Sequence, residues 1–415
     1  MNQLSGVNNK FYDILYGYIK LPPYVQSVLS SPFMSRTANL KQNGGAYFYY
    51  PNATHTRYSH MLGTAYLASE VVNNIKGMNI TKLEKKEIIL AGLMHDIGHA
   101  PYSHAFETCV WNRLFPSVQW NHEDQSAKII DRMIDDLYLD NLNANHVKAI
   151  IHGDVISDKP YIFQIVANKH HGIDVDKLDY LQRDSYYTVG DIQKNSFNMI
   201  LKKTRVIDGN ICYSSDIVDS INDVFQTRLK LWNKVYTQSK VKSIEYMMAD
   251  AIINANSVFP VEKKVNDLDE FVTYDDTIIS VIMNTKNSAL KDSKAIIKRA
   301  MCGNYYTSVG KYSGVPKPTS EELLKFATSG HTITSDDFIV HAFKLNYGKT
   351  SHPIYDVPFY KSENKRKYSV EFLGTSVFIP KDAEEHFVEV FCKKSDLEKD
   401  VRKMCNKWYE ATKVQ

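Results

Sequence analysis

Four residues in three short motifs are of types that could hold a divalent metal: His60 in HTRYSHMLG, the adjacent pair His95 and Asp96 in LMHDIGH, and Asp176 in GIDVDKLDY. Imidazole nitrogen with carboxylate oxygen, and no thiolate, suits borderline or hard cations such as Fe, Mn, Zn, Co or Ni rather than a cysteine-built zinc knot. The Asp96 carboxylate could bridge to a second ion. A bound divalent ion acidifies water and neutralises phosphate charge, the two needs of phosphate-ester hydrolysis. Any one of these residues alone reads as an ordinary core or surface side chain, since short motifs are only hypotheses. The four together predict metal-assisted hydrolysis of a phosphate ester.

The elements that must position them read as helices. In LEKKEIILAGLMHDIGH the apolar residues Ile88, Ile89, Leu90, Leu93, Met94 and Ile97 nearly encircle a helix, which marks it as buried and puts His95 and Asp96 inside the protein. On a helix continuing through this motif, His99 shares the face of His95. Gly98 and Pro101 prepare the helix to end, and His104 follows the break. Asn121 is a good N-cap for a helix through Ala127, Ile130 and Met133, with Glu123 and Asp124 in its first turn and His122 beside a carboxylate. A carboxylate-held histidine can act as general acid or base near neutral pH. The alternative for each histidine is a structural or supporting role around a metal.

Phosphate binding needs cations. Arg57 stands three residues before His60 on the same helix face, and Lys177 follows Asp176. With a helix from about Asp176, the residues Lys177, Tyr180 and Asp184 line one face, with Arg183 at its edge. Ammonium, phenol and carboxylate together suit a phosphorylated sugar. Arg228, Trp232 and Tyr236 recur every fourth residue in TRLKLWNKVYT; a partly exposed helix with inward-packed aromatics would give the same stripe.

On the stretches LKQNGGAYFYYPNATHTRYSHMLG, GLMHDIGHAPYSHAFE, NHEDQS, IVANKHHGIDVDKLDYLQRD, VFQTRLKLWNKVYTQSKV, DDFIVHAFKLNYG and VEVFCKK, the chain resembles the HD-domain dNTP triphosphohydrolases, in particular those that join a sterile alpha motif to the HD core. The likeness runs from about residue 20 onward, so the catalytic core and C-terminal lobe are expected without the sterile alpha motif. It implies that His60, His95, Asp96 and Asp176 are the metal ligands, holding Fe, Mn or Zn, with Mg also allowed there and Mg accompanying the substrate phosphates. It implies His104 and His122 at the scissile bond, Glu107 and Glu123 as their carboxylate partners, and His99 close to the phosphates. Arg57, Lys177, Tyr180 and Arg228 fall on triphosphate contacts, and Gln42, Asp184 and Tyr236 on positions that read the sugar and its 3′ hydroxyl. The implied reaction is attack of water on the α-phosphorus, releasing a deoxynucleoside and inorganic triphosphate. A homodimer is expected on the same ground.

Departures from that pattern carry expectations too. Asn43 stands where the family has a leucine crowding the sugar's 2′ position, so weaker rejection of ribonucleotides is expected. Trp232 replaces a histidine near the nucleotide. Ser30, Ser35 and Ala38 stand where an acid, an amide and an arginine read an activator guanine, and Met199 where an arginine serves the adjoining activator site. Turnover without GTP, and no nucleotide-clamped tetramer, are therefore expected. Other readings are a different HD-type nucleotidase or phosphodiesterase, or a non-catalytic homologue that binds nucleotide or nucleic acid.

The whole chain predicts a mainly α fold: an HD domain with an N-terminal entry segment over residues 1–265, built of consecutive helices from about residue 20 and including a long amphipathic stretch from Ile217 to Val258, then an α/β lobe over 266–415. Within the lobe, helices near 265–300 lead into an exposed loop, CGNYYTSVGKYSGVPKPTS; strands follow in DDFIVHAFKLNY, PIYDVPFYK, KYSVEF and FVEVFCKK, with a helix before the last of these and a final helix over about 395–411. At 415 residues and 43% hydrophobic the chain can bury a large core. The net charge of +3 is nearly balanced, so the basic clusters at 202–205, 361–367 and 393–403 predict at most weak nucleic-acid binding. Five scattered cysteines suit reduced thiols in the cytoplasm or nucleus, and neither a signal peptide nor a membrane span is expected.

Overall fold

The computed structural model describes residues 10–413 except 140, 191–198, 328–331, 362–365 and 374–383. Its frame is set by helices whose starts are written into the sequence. Thr56 opens α1 (Arg57–Asn74) through a reciprocal cap with Ser59, and Thr81 opens α2 (Lys82–Met94) through the same device with Glu84. Asn121 caps α3 (His122–Asp136) at the amide of Asp124, Asn143 caps α4 (Ala144–His152), and Asp174 caps α5 (Val175–Tyr187) at the amide of Lys177. Both α1 and α2 are buried over most of their circumference, which puts them at the centre of the main core. Gly63 lets α1 approach α5: a Cβ there would lie 1.9 Å from the Asp179 carboxylate.

Several expectations about elements need correcting. α2 ends at Met94, so His95 is its C-cap and His99 lies beyond it in a turn rather than one turn along the same helix. The amphipathic stretch from Ile217 to Val258 is interrupted. It divides into α6 (Val218–Leu231), a wider π turn over Trp232–Tyr236, and α7 (Ser239–Asn254), which restarts where the Gln238 side chain accepts the amides of Lys240 and Val241. At the N-terminal end β1 (Lys10–Asp13) pairs with β2 (Gly17–Lys20); the span from about 20 to 265 that follows is not helical throughout, since β3 (Thr204–Ile207) pairs with β4 (Asn210–Ser214).

Beyond residue 265 the main apolar core continues through Phe271, Ile278, Ile282 and Ile297, contributed in part by α8 (Ile278–Asn284) and α9 (Lys291–Met301). The expected exposed loop instead contains β5 (Thr307–Ser313). With β6 (Phe338–Asn346) it flanks β9 (Glu384–Cys392) in an antiparallel sheet ordered β5-β9-β6. PIYDVPFYK is mostly a 3-10 turn ending in β7 (Phe359–Tyr360), and KYSVEF starts as β8 (Lys367–Tyr368) and turns into 3-10 helix at Val370. β7 adds parallel to β4, so this second sheet joins segments far apart in the chain. α10 (Glu398–Lys413) covers the first sheet with Val401, Met404, Cys405 and Trp408. The helix expected before β9 falls outside the described residues, as does part of the 361–367 basic cluster. The result is a helical core with a smaller α/β part. No helix among the described residues is long and apolar enough to cross a membrane.

Candidate metal centre and active site

α1, the end of α2 and the start of α5 converge, and with them His60, His95, Asp96 and Asp176. His60 Nε2 lies 3.1 Å from His95 Nε2, 3.1 Å from Asp176 Oδ1 and 3.6 Å from Asp96 Oδ2; His95 Nε2 lies 3.4 Å from Asp176 and 3.6 Å from Asp96. Bonds of about 2.1 Å from a central ion give donor-to-donor edges of roughly 3.0–3.4 Å, close to the spacings among His60, His95 and Asp96, while Asp176 Oδ1 approaches the same ion's place from the side of the two imidazoles. The tautomers agree. His60 Nδ1 is engaged by Asp179 at 2.8 Å and His95 Nδ1 by the Gly92 carbonyl at 3.0 Å. Both acceptors require a proton on Nδ1, which turns the two Nε2 atoms toward each other and toward the carboxylates, a place for a cation or a shared proton.

The electrostatics point the same way. Burial alone would drive the proton off His60, yet hydrogen bonds to Asp176 and Asp179 outweigh it and push its pKa up to about 10. His95 is raised against its burial by Asp96 and Asp176. Asp96 is held well below the usual carboxylate range despite burial, above all by the Arg57 guanidinium that donates to it, and Asp176 is lowered by its bonds to the two histidines. Carboxylates that pull a proton onto a buried imidazole offer the same place to a divalent cation.

A second cluster adjoins the first. His99, His104 and His122 present ring nitrogens within 4.8 Å of one another; His99 stacks on His122 at 3.8 Å and His104 meets both edge-on. His122 Nδ1 is bound by Glu107 at 3.1 Å, which leaves its Nε2 free. His99 is fully buried, neither ring nitrogen has a hydrogen-bond partner among the described residues, and its Nε2 is 3.4 Å from Asp96. Burial, Arg57 and His122 hold it neutral. His104 is pushed the same way, by its surroundings first and then by His122. Glu123 departs from expectation: it turns to His152 at 3.6 Å and is largely exposed, because the helix start that points His122 inward points its neighbour out.

Around these clusters stand the groups expected to hold a nucleotide. Arg57 is buried, donating to Ser103 Oγ (3.0 Å) and the Gln42 carbonyl (3.2 Å) as well as to Asp96. Lys177 is held by Asp174 at 2.8 Å, and Arg228 donates to the Asn346 carbonyl at 2.8 Å while lying over the Trp232 ring. Tyr180 stands edge-on to His60. Tyr236 donates to Asp184 at 2.5 Å, and the other Asp184 oxygen takes His55 Nε2 at 2.7 Å, with the Asn43 amide 3.5 Å from the same nitrogen. Gln42 Oε1 and Trp232 Nε1 are buried without a partner among the described residues. A cavity of about 170 Å³ bounded by Lys177, Arg228, Lys169, His171 and Lys349 opens beside them.

Sequence reasoning passed over Asp179, His55 and Ser103. Asp179 follows Asp176 by three on α5, so helical period could have found it; His55 precedes Arg57 in HTR but carries no spacing signal of its own.

A His/His/Asp/Asp centre at converging helices defines an HD-type hydrolase, and the HD domain family matches residues 57–184, which span all four candidate ligands. The chain is 33% identical over 401 residues to the deoxynucleoside triphosphate triphosphohydrolase SAMHD1 homolog of Dictyostelium discoideum, covering 92% of this chain and 77% of that protein. It is 28% identical to deoxynucleoside triphosphate triphosphohydrolase SAMHD1 of Danio rerio (95% and 73% covered) and 27% identical to that of Homo sapiens (92% and 70%). The chain belongs to the SAMHD1-like triphosphohydrolase family and is an HD-type nucleotide hydrolase.

Proposed function

We propose that the protein hydrolyses deoxynucleoside triphosphates to deoxynucleoside and inorganic triphosphate, with a divalent metal held by His60, His95, Asp96 and Asp176 and no requirement for GTP. The observation that carries this reading is the pair of Nδ1-anchored imidazoles whose Nε2 atoms face two carboxylates, directly beside a triad of histidines and an Asp184–Tyr236 pair suited to a sugar hydroxyl. When bound, Fe, Mn or Zn at this centre would polarise the α-phosphate and acidify water, with Mg on the remaining phosphates. Arg57, Lys177, Tyr180 and Arg228 neutralise and orient the triphosphate; Lys177 and Arg228 release Asp174 and Asn346 to do so. His122, oriented by Glu107, and His104 manage the proton needed by the departing 5′ oxygen, and His99 stays neutral near the phosphates. Gln42, Asp184, Tyr236, Asn43 and Trp232 form the sugar and base end. Arg57, held between Asp96 and the Gln42 carbonyl, links the two ends.

Independence from GTP is supported by surface chemistry: Ser30, Ser35, Ala38 and Met199 are exposed and uncharged, so they offer no ionic grip on an activator. A homodimer, a cytoplasmic or nuclear location, weak nucleic-acid binding and a division near residue 265 belong to the same reading.

The test is product analysis with each dNTP, with GTP and with ATP, in Mg²⁺, Mn²⁺ and Fe²⁺, with and without activator nucleotide, alongside light scattering. Deoxynucleoside and triphosphate from a single dNTP are expected, without tetramers on adding GTP. Monophosphate products, or turnover only with GTP, would overturn the corresponding part.

A further inference from the structure

Two backbone segments carry the groups that meet the nucleotide: residues 39–44, with Gln42 and Asn43, and residues 100–104, with Ser103 and His104. The second is strained, since Tyr102 and Ser103 both adopt left-handed backbone (φ 62° and 57°), a region that residues with a Cβ occupy at a cost. Such a turn persists only where its surroundings hold it. The holder comes from a distant part of the chain. Asp276, just before α8, accepts the Tyr102 amide at 2.6 Å through one carboxylate oxygen and the Lys41 amide at 2.8 Å through the other. The adjacent Asp275 accepts the Asn39 side-chain amide at 2.9 Å. Ser103 Oγ then donates to the Lys41 carbonyl at 2.8 Å and accepts from Arg57, which reaches Asp96. The path from Asp276 to a metal-ligand candidate is continuous.

We propose that Asp276 is a positioning residue for the active site, clamping the sugar-facing segment and the left-handed turn before His104 into one rigid unit. No uncharged side chain does this equally well: an amide offers one acceptor oxygen and confronts the second N–H with its own donor. The inference rests on the functional reading above only for its kinetic consequence, because the clamp itself can be observed without turnover.

The experiment compares wild type with Asp276→Asn, and with Asp276→Glu should the first variant fold poorly. Hydrogen exchange of peptides spanning 39–44 and 100–105 is followed together with metal content, kcat and KM for a dNTP. Faster exchange in both segments, unchanged metal content and a kcat lower by roughly ten- to a hundredfold are expected, since small misplacements of catalytic groups have effects of this order. Unchanged exchange in both segments, or a kcat within about twofold of wild type, would overturn the proposal. Failure of wild type to turn over any dNTP would refute the functional reading alone, and the exchange comparison would still decide the role of Asp276.

Discussion

Asp179 shows how much of a metal site lies one bond behind the ligands. It is fully buried, takes Arg183 through both oxygens at 2.8 Å, accepts from Tyr16 at 3.0 Å and fixes the His60 ring through Nδ1. Asp179→Asn exchanges one of these acceptors for a donor and frees the His60 tautomer. A loss of about ten- to a hundredfold in metal affinity is expected, measured by competition with a chelator; affinity equal to wild type would show that His60 needs no such support. The four ligand candidates themselves were legible because their residue types and spacing are unusual together. His55 was not, since a histidine that serves another side chain leaves no pattern until the fold brings the two together; Asp179, three residues after Asp176 on α5, was within reach of helical period. Glu123 failed for a related reason: adjacency in sequence to His122 put it on a different face.

At the scale of elements, caps were legible and interruptions were not. Asn121 with the acidic turn after it announced its helix through local hydrogen bonding, and Thr81 with Glu84 carries the same kind of signal, one that went unread. The break at Trp232–Tyr236 has no proline or glycine to mark it, and β5 was hidden because TSVGKYS holds a glycine and carries a register shift between Ser308 and Gly310. Gly98 marks a contact between elements. A Cβ there would lie 2.3 Å from both the His122 carbonyl and the Ser126 amide, so the turn after α2 and the start of α3 touch only because it is absent. Gly98→Ala should push His122 away from His99, lowering kcat while leaving metal content intact, at a stability cost of about 1–3 kcal/mol. Kinetics with metal analysis and urea unfolding would check this, and unchanged kcat would mean that His122 tolerates the shift.

At the scale of the molecule, the clamp at Asp276 sets function against stability. Its surroundings comprise Asp275, Lys41, Arg36, Tyr47 and Tyr102, and burial pushes its pKa up to about 6 even though two amides pull it down. An unfolded aspartate titrates near 3.9. Between those values the folded chain keeps a proton that the unfolded chain has lost, so this group's contribution to stability falls as pH rises from about 4 to about 6. Asp276→Asn lacks that titration. Its urea midpoint relative to wild type should therefore climb across this window and level off above it; a difference flat with pH would contradict the linkage. A substitution that loses turnover while part of its stability deficit closes as pH rises is the pattern of a residue kept for activity. None of this was legible in the sequence.

The order in which the chain is made gives that clamp one more consequence. Asp176, the last ligand candidate, leaves the ribosome about a hundred residues ahead of Asp276, an interval of roughly 5–20 s at ordinary rates of synthesis. The candidate metal ligands are thus all synthesised well before the residue that steadies the turn before His104. The two halves of the proposed site, one that would hold an ion and one that readies a histidine, come into existence at separate moments.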